Sequence, residues 1–405
     1  MRTRRFWSLL LVVCMLLATL AGCGVKGEDD QTTAPAATEP GTTTAETATA
    51  EPVETTAAVT TEQPPLTVDG YVSATDCSLY VKEVGRSRFY RGAFILDWSA
   101  SGIEFAFSGS GDLRVDIEKE GSSSNAVLIA EVDGEEHTLN VNTAGVQTYR
   151  VVTGLAEGEH HVLIRRRNMV EDGSDNGILV GIKGFRMTGS LLKRPADNKY
   201  KVAFLGDSIL CGHGLPNQNG LATYAMDLCK RESFDYDVCS VSGFGVYCSS
   251  TRHGFTENTL TKYYPYFNYY RSTTLRYMPE RTADLVIVNL NTNDNNFGWT
   301  NSPETPYKEA LKTLISEIRE IHGENVPIVW IVGMMISPDS GVNQCLNEVF
   351  AELGGEAAGL YTITVETNTA GGDGGHPDAS SHAAVSQALS AFIRTKSLLD
   401  LPAQQ

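Results

Sequence analysis

The sequence contains no C-x-x-C pair, and its eight cysteines are scattered over 405 residues. That pattern excludes a zinc ribbon and a small disulfide-stapled scaffold. Positive charge is in deficit: 32 Lys and Arg stand against 49 Asp and Glu, a net of −17. A nucleic-acid partner is therefore excluded, because no basic face is available to displace phosphate counterions. Neutral glycans remain compatible partners. Long apolar runs are absent with one exception, Phe6 to Leu20. It follows Arg2, Arg4 and Arg5, is short for a membrane-spanning helix, and has the length of a secretory signal's apolar region. No internal repeat is visible. The length implies two or three domains, and 41% hydrophobic with 20% charged residues suits folded ones.

Leu20-Ala21-Gly22-Cys23 closes the apolar run. It resembles the lipobox of bacterial lipoproteins, which implies a signal peptide over 1–23 and a lipid chain on Cys23. Membrane association is then expected only through that lipid anchor, on the extracytoplasmic side. An ordinary signal peptide or an N-terminal anchor helix is the other reading. Residues 24–66 are rich in Thr, Ala, Glu and Pro, with eight acidic residues, one Lys and no aromatic. Such a stretch buries too little to offset its ordering entropy, so it reads as a disordered, extended tether.

Two rhythms divide the remainder. Over 67–194, apolar and polar residues alternate: Ile103, Phe105 and Phe107, then Leu113, Val115 and Ile117, with the habit continuing through Val127, Ile129, Val162 and Ile164. Turn signals at Ser108-Gly109-Ser110-Gly111, Asp133-Gly134 and Gly158 suggest many short strands in an all-β sandwich without helices. Trp98 is assigned to its core and Arg165-Arg166-Arg167 to a solvated or paired edge. Over 195–405, continuous apolar runs (Val202–Leu205, Leu285–Val288, Ile328–Val332, Tyr361–Val365) alternate with amphipathic helical stretches near 221–231, 307–321, 342–353 and 381–399. Buried strands alternating with helices specify an α/β domain with a parallel sheet covered on both faces.

In open α/β sheets, ligands bind beyond the carboxyl ends of the strands. Four segments occupy that position. The first run leads into Gly206-Asp207-Ser208, which puts a hydroxyl at the mouth of what is read as a helix capped by Asp207. The strand from Asp235 leads to Ser242-Gly243, where Gly243 offers a bare N–H. The run from Leu285 leads to Asn291-Thr292-Asn293-Asp294, where Asn293 offers an amide and Asp294 an acceptor that fixes its loop. The last strand leads to Asp373-Gly374-Gly375-His376, a carboxylate three residues from an imidazole. A nucleophilic serine needs a base, the base needs an orienting partner, and the oxyanion needs donors. The four strand ends supply each part once. Trp299, six residues after Asn293, is a candidate sugar-stacking residue. Cys211-Gly212-His213 lies near the nucleophile but is too small a set for a metal. A bridge between Cys211 and Cys239, or another pairing with Cys229 or Cys248, is left open. His382 and His322 are assigned no role.

These blocks resemble the SGNH, or GDSL-like, hydrolases. Gly206-Asp207-Ser208, Gly243, Asn293 and Asp373-x-x-His376 fall in that family's order, although Asn291 stands where the third block usually has Gly. The resemblance implies a flavodoxin-like three-layer α/β/α hydrolase domain. It also implies a catalytic Ser208, Asp373 and His376, an oxyanion hole of Ser208, Gly243 and Asn293, and no cofactor or metal. Arg91-Gly92, Asp97-Trp98, Gly102–Phe105, Val132-Asp133-Gly134 and Gly154–His160 are similar to carbohydrate esterase family 2, in which a jelly-roll domain precedes the hydrolase. That implies a serine esterase that removes acetyl groups from polysaccharides such as xylan and mannan; the oligomeric state is open, with a monomer preferred. Other SGNH activities (lipase, thioesterase, peptidoglycan O-acetylesterase, acyltransferase) use the same residues, because fold alone does not select a substrate. A non-catalytic glycan-binding lipoprotein is a further alternative.

Overall fold

A computed structural model of the protein describes residues 63–120, 125–168, 179–250, 256–268, 272–298, 304–367 and 371–402. The signal segment with Cys23, the tether up to residue 62, His253 and Trp299 lie outside the described residues. Among the described residues, no helix is long and apolar enough to cross a membrane.

The first half is built from β1 (Leu66–Asp69), β2 (Val72–Ser73), the one-turn helix α1 (Ala74–Cys77), β3 (Lys82–Val84), β4 (Arg88–Tyr90), β5 (Ala93–Ile95), β6 (Gly102–Glu120), β7 (Ala126–Val132), β8 (Glu135–Val141), β9 (Gly145–Arg166) and β10 (Leu179–Leu191). All pairings are antiparallel, and the main strand order is β4-β5-β10-β6-β9-β7-β8. Its core gathers the alternating residues Ile103, Phe105, Phe107, Val115, Ile117, Val162 and Ile164.

Three expectations for this half need correction. The strands are not all short: β6 has 19 residues, β9 has 22 and β10 has 13. Ser108–Gly111 and Gly158 lie inside them, and the ladder slips register at Gly109, Gly111 and Leu113, so these glycines mark bulges rather than turns. A Cβ on Gly109 would stand 2.4 Å from the Thr188 carbonyl of the neighbouring strand. Asp133-Gly134 does form a tight turn, with both residues at positive φ and Val132 paired to Glu135. Arg166 is not at an edge, since β9 is flanked by β6 and β7; its buried guanidinium donates to Asp97 O at 2.9 Å. Trp98 leaves the β-core, packs with the residues of the second half and donates Nε1–H to Phe267 O at 2.7 Å.

The second half comprises β11 (Lys201–Gly206), α2 (Tyr224–Glu232), β12 (Asp235–Ser240), α3 (Leu260–Tyr263), the hairpin β13 (Tyr266–Asn268) and β14 (Ser272–Arg276), β15 (Leu285–Asn289), α4 (Glu304–His322), β16 (Ile328–Met334), α5 (Gly341–Glu352), β17 (Leu360–Thr367) and α6 (Ala379–Thr395). Strands β12-β11-β15-β16-β17 pair in parallel in that order. Alternate residues of each strand face opposite layers. Ala203, Leu205, Val286, Val288, Ile328 and Trp330 pack with Leu311 and Leu314 of α4 and Leu346 of α5. Val202, Phe204, Leu285, Ile287, Val329 and Ile331 pack with Leu228 of α2 and Leu389 of α6. The chain reverses direction across the sheet between β11 and β15, which opens a crevice at their carboxyl ends.

The two halves are sewn together by residues 82–100. Arg86 is buried with its guanidinium 3.8 Å from the Tyr277 ring centroid and 5.2 Å from that of Trp98, and it donates to the Tyr264 and Tyr266 carbonyls. Lys82 reaches Asp235 at 2.8 Å, and Tyr236 donates its hydroxyl to Ala100 O at 3.0 Å. Buried charges of this kind persist only when such partners satisfy them.

His382, although without chemistry, has a structural role. Its Nδ1 accepts the Tyr224 N–H at 3.0 Å and so ties α6 to the start of α2. Burial lowers its pKa to about 4, so the folded protein holds it neutral. The stability that depends on this neutral ring is fully present above about pH 6.5 and is lost as pH falls toward 4. The His382→Gln variant, which keeps an acceptor but does not titrate, is expected to lose less stability than the wild type between pH 6.5 and 4, by up to about 3 kcal/mol. Urea midpoints at the two pH values measure this, and equal losses would contradict it.

Candidate active site

Ser208 lies two residues beyond β11, and His376 nine beyond β17. Ser208 Oγ and His376 Nε2 are 2.8 Å apart, although 168 residues separate them. Ser208 is buried. No helix follows it. Cys211 N–H donates to Asp207 O, Gly212 N–H to Ile209 O and His213 N–H to Ser208 O in consecutive turns, and α2 starts only at Tyr224. Gly212, Gly214 and Pro216 in this stretch explain why a helix cannot propagate. Asp207 therefore caps a turn instead of a helix, with Oδ1 accepting the Ile209 N–H at 3.1 Å.

Asn293 brings two further loops to the same place. Its Nδ2 donates to Phe244 O at 2.8 Å and to Asp207 Oδ2 at 3.2 Å. The acceptors are the neighbours of Gly243 and Ser208, so the amide is a strut between their loops. Both contacts lie within the protein, so the donation to an oxyanion expected of Asn293 requires the longer bond to Asp207 to be shared. The Ser208 and Gly243 N–H groups, by contrast, have no acceptor among the described residues. Gly243 sits at φ +82°.

Two carboxylates underlie these loops. Burial pushes the Asp207 carboxyl up to about 7 against the pull of the Ile209 N–H, with Asp294 adding to the rise. Burial pushes Asp294 up to about 6, against the N–H groups of Cys248, Tyr247 and Val246 that it accepts at 2.8 Å each. The reading of Asp294 as a loop-fixing acceptor matches this geometry. Asn291, in place of glycine, sits at φ +88° and is held by Tyr307 Oη at 2.6 Å and by Asn343.

Asp373 opens a short turn, Asp373–Gly375, that leads into His376. A Cβ on Gly374 would lie 3.6 Å from His376 Nδ1, so this turn runs along the Nδ1 side of the ring. One neighbour, placed near the nucleophile by the sequence, turns out to face the base. The His213 ring centroid is 4.5 Å from that of His376, with the planes inclined at 44°. Its signal was present in the glycines on either side, which free the backbone to turn the ring back onto the base.

Cys211, Cys229, Cys239 and Cys248 are free and buried, so the disulfide left open between 211 and 239 is not made. Glu304, Cys345 and Glu348 form a group of metal-ligand type on α4 and α5. Lys308 Nζ already lies 2.7 Å from Glu304 and 2.5 Å from Glu348.

Known proteins similar to this chain bear on its two halves. Residues 204–385 match the GDSL-like Lipase/Acylhydrolase family, and residues 83–195 match the carbohydrate esterase 2 N-terminal family. The chain joins a GDSL-like hydrolase domain to a carbohydrate esterase family 2 N-terminal domain. It is 26% identical over 325 residues to cellulase/esterase CelE of Acetivibrio thermocellus, covering 74% of this chain but only 37% of that relative's length. The structure of a family 2 carbohydrate esterase from Clostridium thermocellum in complex with cellohexaose has a TM-score of 0.66 and 26% identity, covering 79% of this chain and all of that one. The acetyl xylan esterase Est2A of Butyrivibrio proteoclasticus shares the fold, with a TM-score of 0.70 and 20% identity over 81% of this chain and 98% of its own.

Removal of Asp294 should leave three buried N–H groups without their acceptor. Asp294→Ala is expected to lower stability by about 3 kcal/mol or more. Denaturant unfolding checks this, and a loss under about 1 kcal/mol would show that water replaces the carboxylate freely.

Proposed function

We propose that the protein is a serine carbohydrate esterase that removes O-acetyl groups from polysaccharides of the xylan or mannan type through an acetyl-enzyme intermediate. The observation that carries this reading is the 2.8 Å contact between Ser208 Oγ and His376 Nε2 at the carboxyl end of the parallel sheet. Ser208 Oγ attacks the acetyl carbonyl carbon as His376 takes its proton. The Ser208 and Gly243 N–H groups receive the oxyanion, joined by the Asn293 amide as the developing charge outcompetes Asp207 for its hydrogen. Each such donor contributes about 3–4 kcal/mol in comparable sites. The tetrahedral intermediate collapses, the bond to the sugar oxygen breaks, and His376 returns the proton to that oxygen. Water, deprotonated by His376, then releases acetate and restores Ser208. Asp373 is the group assigned to orient His376 and stabilise its imidazolium.

The match of residues 83–195 to the carbohydrate esterase 2 N-terminal family, and the likeness to a family two carbohydrate esterase solved with cellohexaose, favour a glycan as the alcohol. Trp299 is proposed as a sugar-stacking residue. For residues 1–23, the basic start, the apolar run and Leu20-Ala21-Gly22-Cys23 support a lipid anchor on Cys23, with the acidic tether holding a monomeric enzyme outside the membrane.

Ser208→Ala is expected to abolish acetate release from acetylated xylan and from 4-nitrophenyl acetate with the circular dichroism spectrum unchanged; residual wild-type turnover would remove the nucleophile assignment. His376→Ala is expected to cost more turnover than Asp373→Asn, because the imidazole itself moves the proton. Steady-state kcat values decide the order, and the reverse ranking would overturn the two roles. A panel of acetylated xylan, glucomannan, peptidoglycan and lipid esters tests the substrate class, and preference for the last two would refute it.

A further inference from the structure

The segment after the nucleophile does more than close a turn. His213 is bound through its backbone to the nucleophile, its N–H donating to Ser208 O at 2.9 Å. Its ring, half-buried, lies against the ring of the base at 4.5 Å between centroids. The two loops that carry these rings are in backbone contact. Gly214 has φ +89°, and a Cβ there would stand 2.6 Å from His376 Cβ and 2.9 Å from Pro377 O. A Cβ on Gly372 would stand 2.7 Å from Gly214 O, and the Gly372 N–H donates to His376 O at 2.8 Å. The loop at 212–214 is thus pressed on the His376 loop as closely as glycine permits.

We propose that His213 is a positioning residue for the catalytic base, its ring serving as the surface that holds the His376 imidazole where Nε2 meets Ser208 Oγ. The proposal rests on the esterase reading. Proton transfer tolerates little freedom of the base. A ring turns about two side-chain torsions, and a hydrogen bond of 2.8 Å at Nε2 constrains its tip but not its tilt. The neighbouring ring, 4.5 Å away between centroids and inclined at 44°, bears on that tilt. Because this neighbour is five residues from Ser208 and bonded to its carbonyl, any shift of the nucleophile's turn carries the supporting surface with it, and the pair stays in register. Misplacement of a reacting group by about 1 Å costs on the order of 100-fold in rate, so even partial freedom of the ring is visible in turnover.

The experiment compares wild type, His213→Ala, His213→Phe and Gly214→Ala in two assays. The first is steady-state hydrolysis of 4-nitrophenyl acetate. The second is the rate of Ser208 labelling by a 4-nitrophenyl alkylphosphonate, which needs the Ser208–His376 pair but no acetyl substrate. His213→Ala is expected to lower kcat and the labelling rate at least about tenfold, with KM within about twofold of wild type. His213→Phe, which restores a flat ring, should recover most of both rates. Gly214→Ala, which drives a methyl group into His376, should lose both. Wild-type rates in His213→Ala would overturn the proposal, as would a His213→Phe variant no better than alanine or an effect confined to KM. A wild-type protein labelled at Ser208 but inert toward acetyl esters would refute the esterase reading and leave the labelling series to decide the role of His213.

Discussion

One hydrogen bond between side chains 168 positions apart organises this molecule. For Ser208 and His376 to meet, β11 and β17 must run parallel with their carboxyl ends on the same side, although β15 and β16 separate them in the sheet. The loop after the edge strand β17 must therefore travel back across three strand spacings, roughly 14 Å, to reach the loop after β11. This explains why His376 comes nine residues after β17 ends, on a glycine-rich turn, while Ser208 comes only two residues after β11. The reversal of strand order between β11 and β15 leaves that path unobstructed, since no crossover helix covers the crevice there.

Around that bond, the loops are held by buried polar groups as well as by apolar packing of Ile209, Leu210, Phe244 and Val246. Asp294 accepts three backbone N–H groups of the loop that follows Gly243, and Asn293 joins that loop to the residue before the nucleophile. Apolar contacts fix a loop's depth but tolerate sliding, whereas hydrogen bonds to named backbone atoms fix it within a few tenths of an ångström. The cost is charge burial. Burial raises the carboxyls of both Asp207 and Asp294, and the charge of Asp294 further opposes the ionisation of Asp207. The structure accepts that cost at the site, as it does where Arg86 joins the two halves, while the parallel strands meet their helices through aliphatic layers.

The legibility of the sequence followed how local each signal is. The parallel strands showed as continuous apolar runs because both of their faces are covered, and the four catalytic blocks could be read because they had to fall at strand ends. Gly109 and Gly111 misled because a glycine that lets two strands approach looks the same in sequence as one that turns a chain. Trp98 misled, and Arg86 went unread, for a different reason. They lie in the alternating half but pack against Tyr264, Tyr277 and Phe267 of the other half, and no local period reports a partner over 160 residues away. The commitment of the Asn293 amide was equally hidden, since Asp207 and Phe244 become its neighbours only after folding. His213 was noticed for its proximity to Ser208 in the chain, yet only the folded loops reveal that it faces the base.

The base itself is held from the far side by α6. Asp378, two residues after His376, caps that helix: its Oδ1 accepts the Ser381 N–H at 2.9 Å and the Ser380 and Ser381 hydroxyls at 2.8 Å each. Those bonds, the Ser381 N–H foremost, hold its carboxyl down at about 2. The cap thus stays ionised across the pH range in which a serine esterase works, and the helix start does not loosen as the medium acidifies. One turn on, His382 fastens the same helix to α2, whose first turn follows directly from the nucleophile's loop. Nucleophile and base are accordingly joined twice: through the ring of His213 at the crevice, and through the α2–α6 pair beneath it. A single tie would let the two loops hinge about it. Two ties at different depths remove that motion, which is what a proton transfer over one hydrogen-bond length demands.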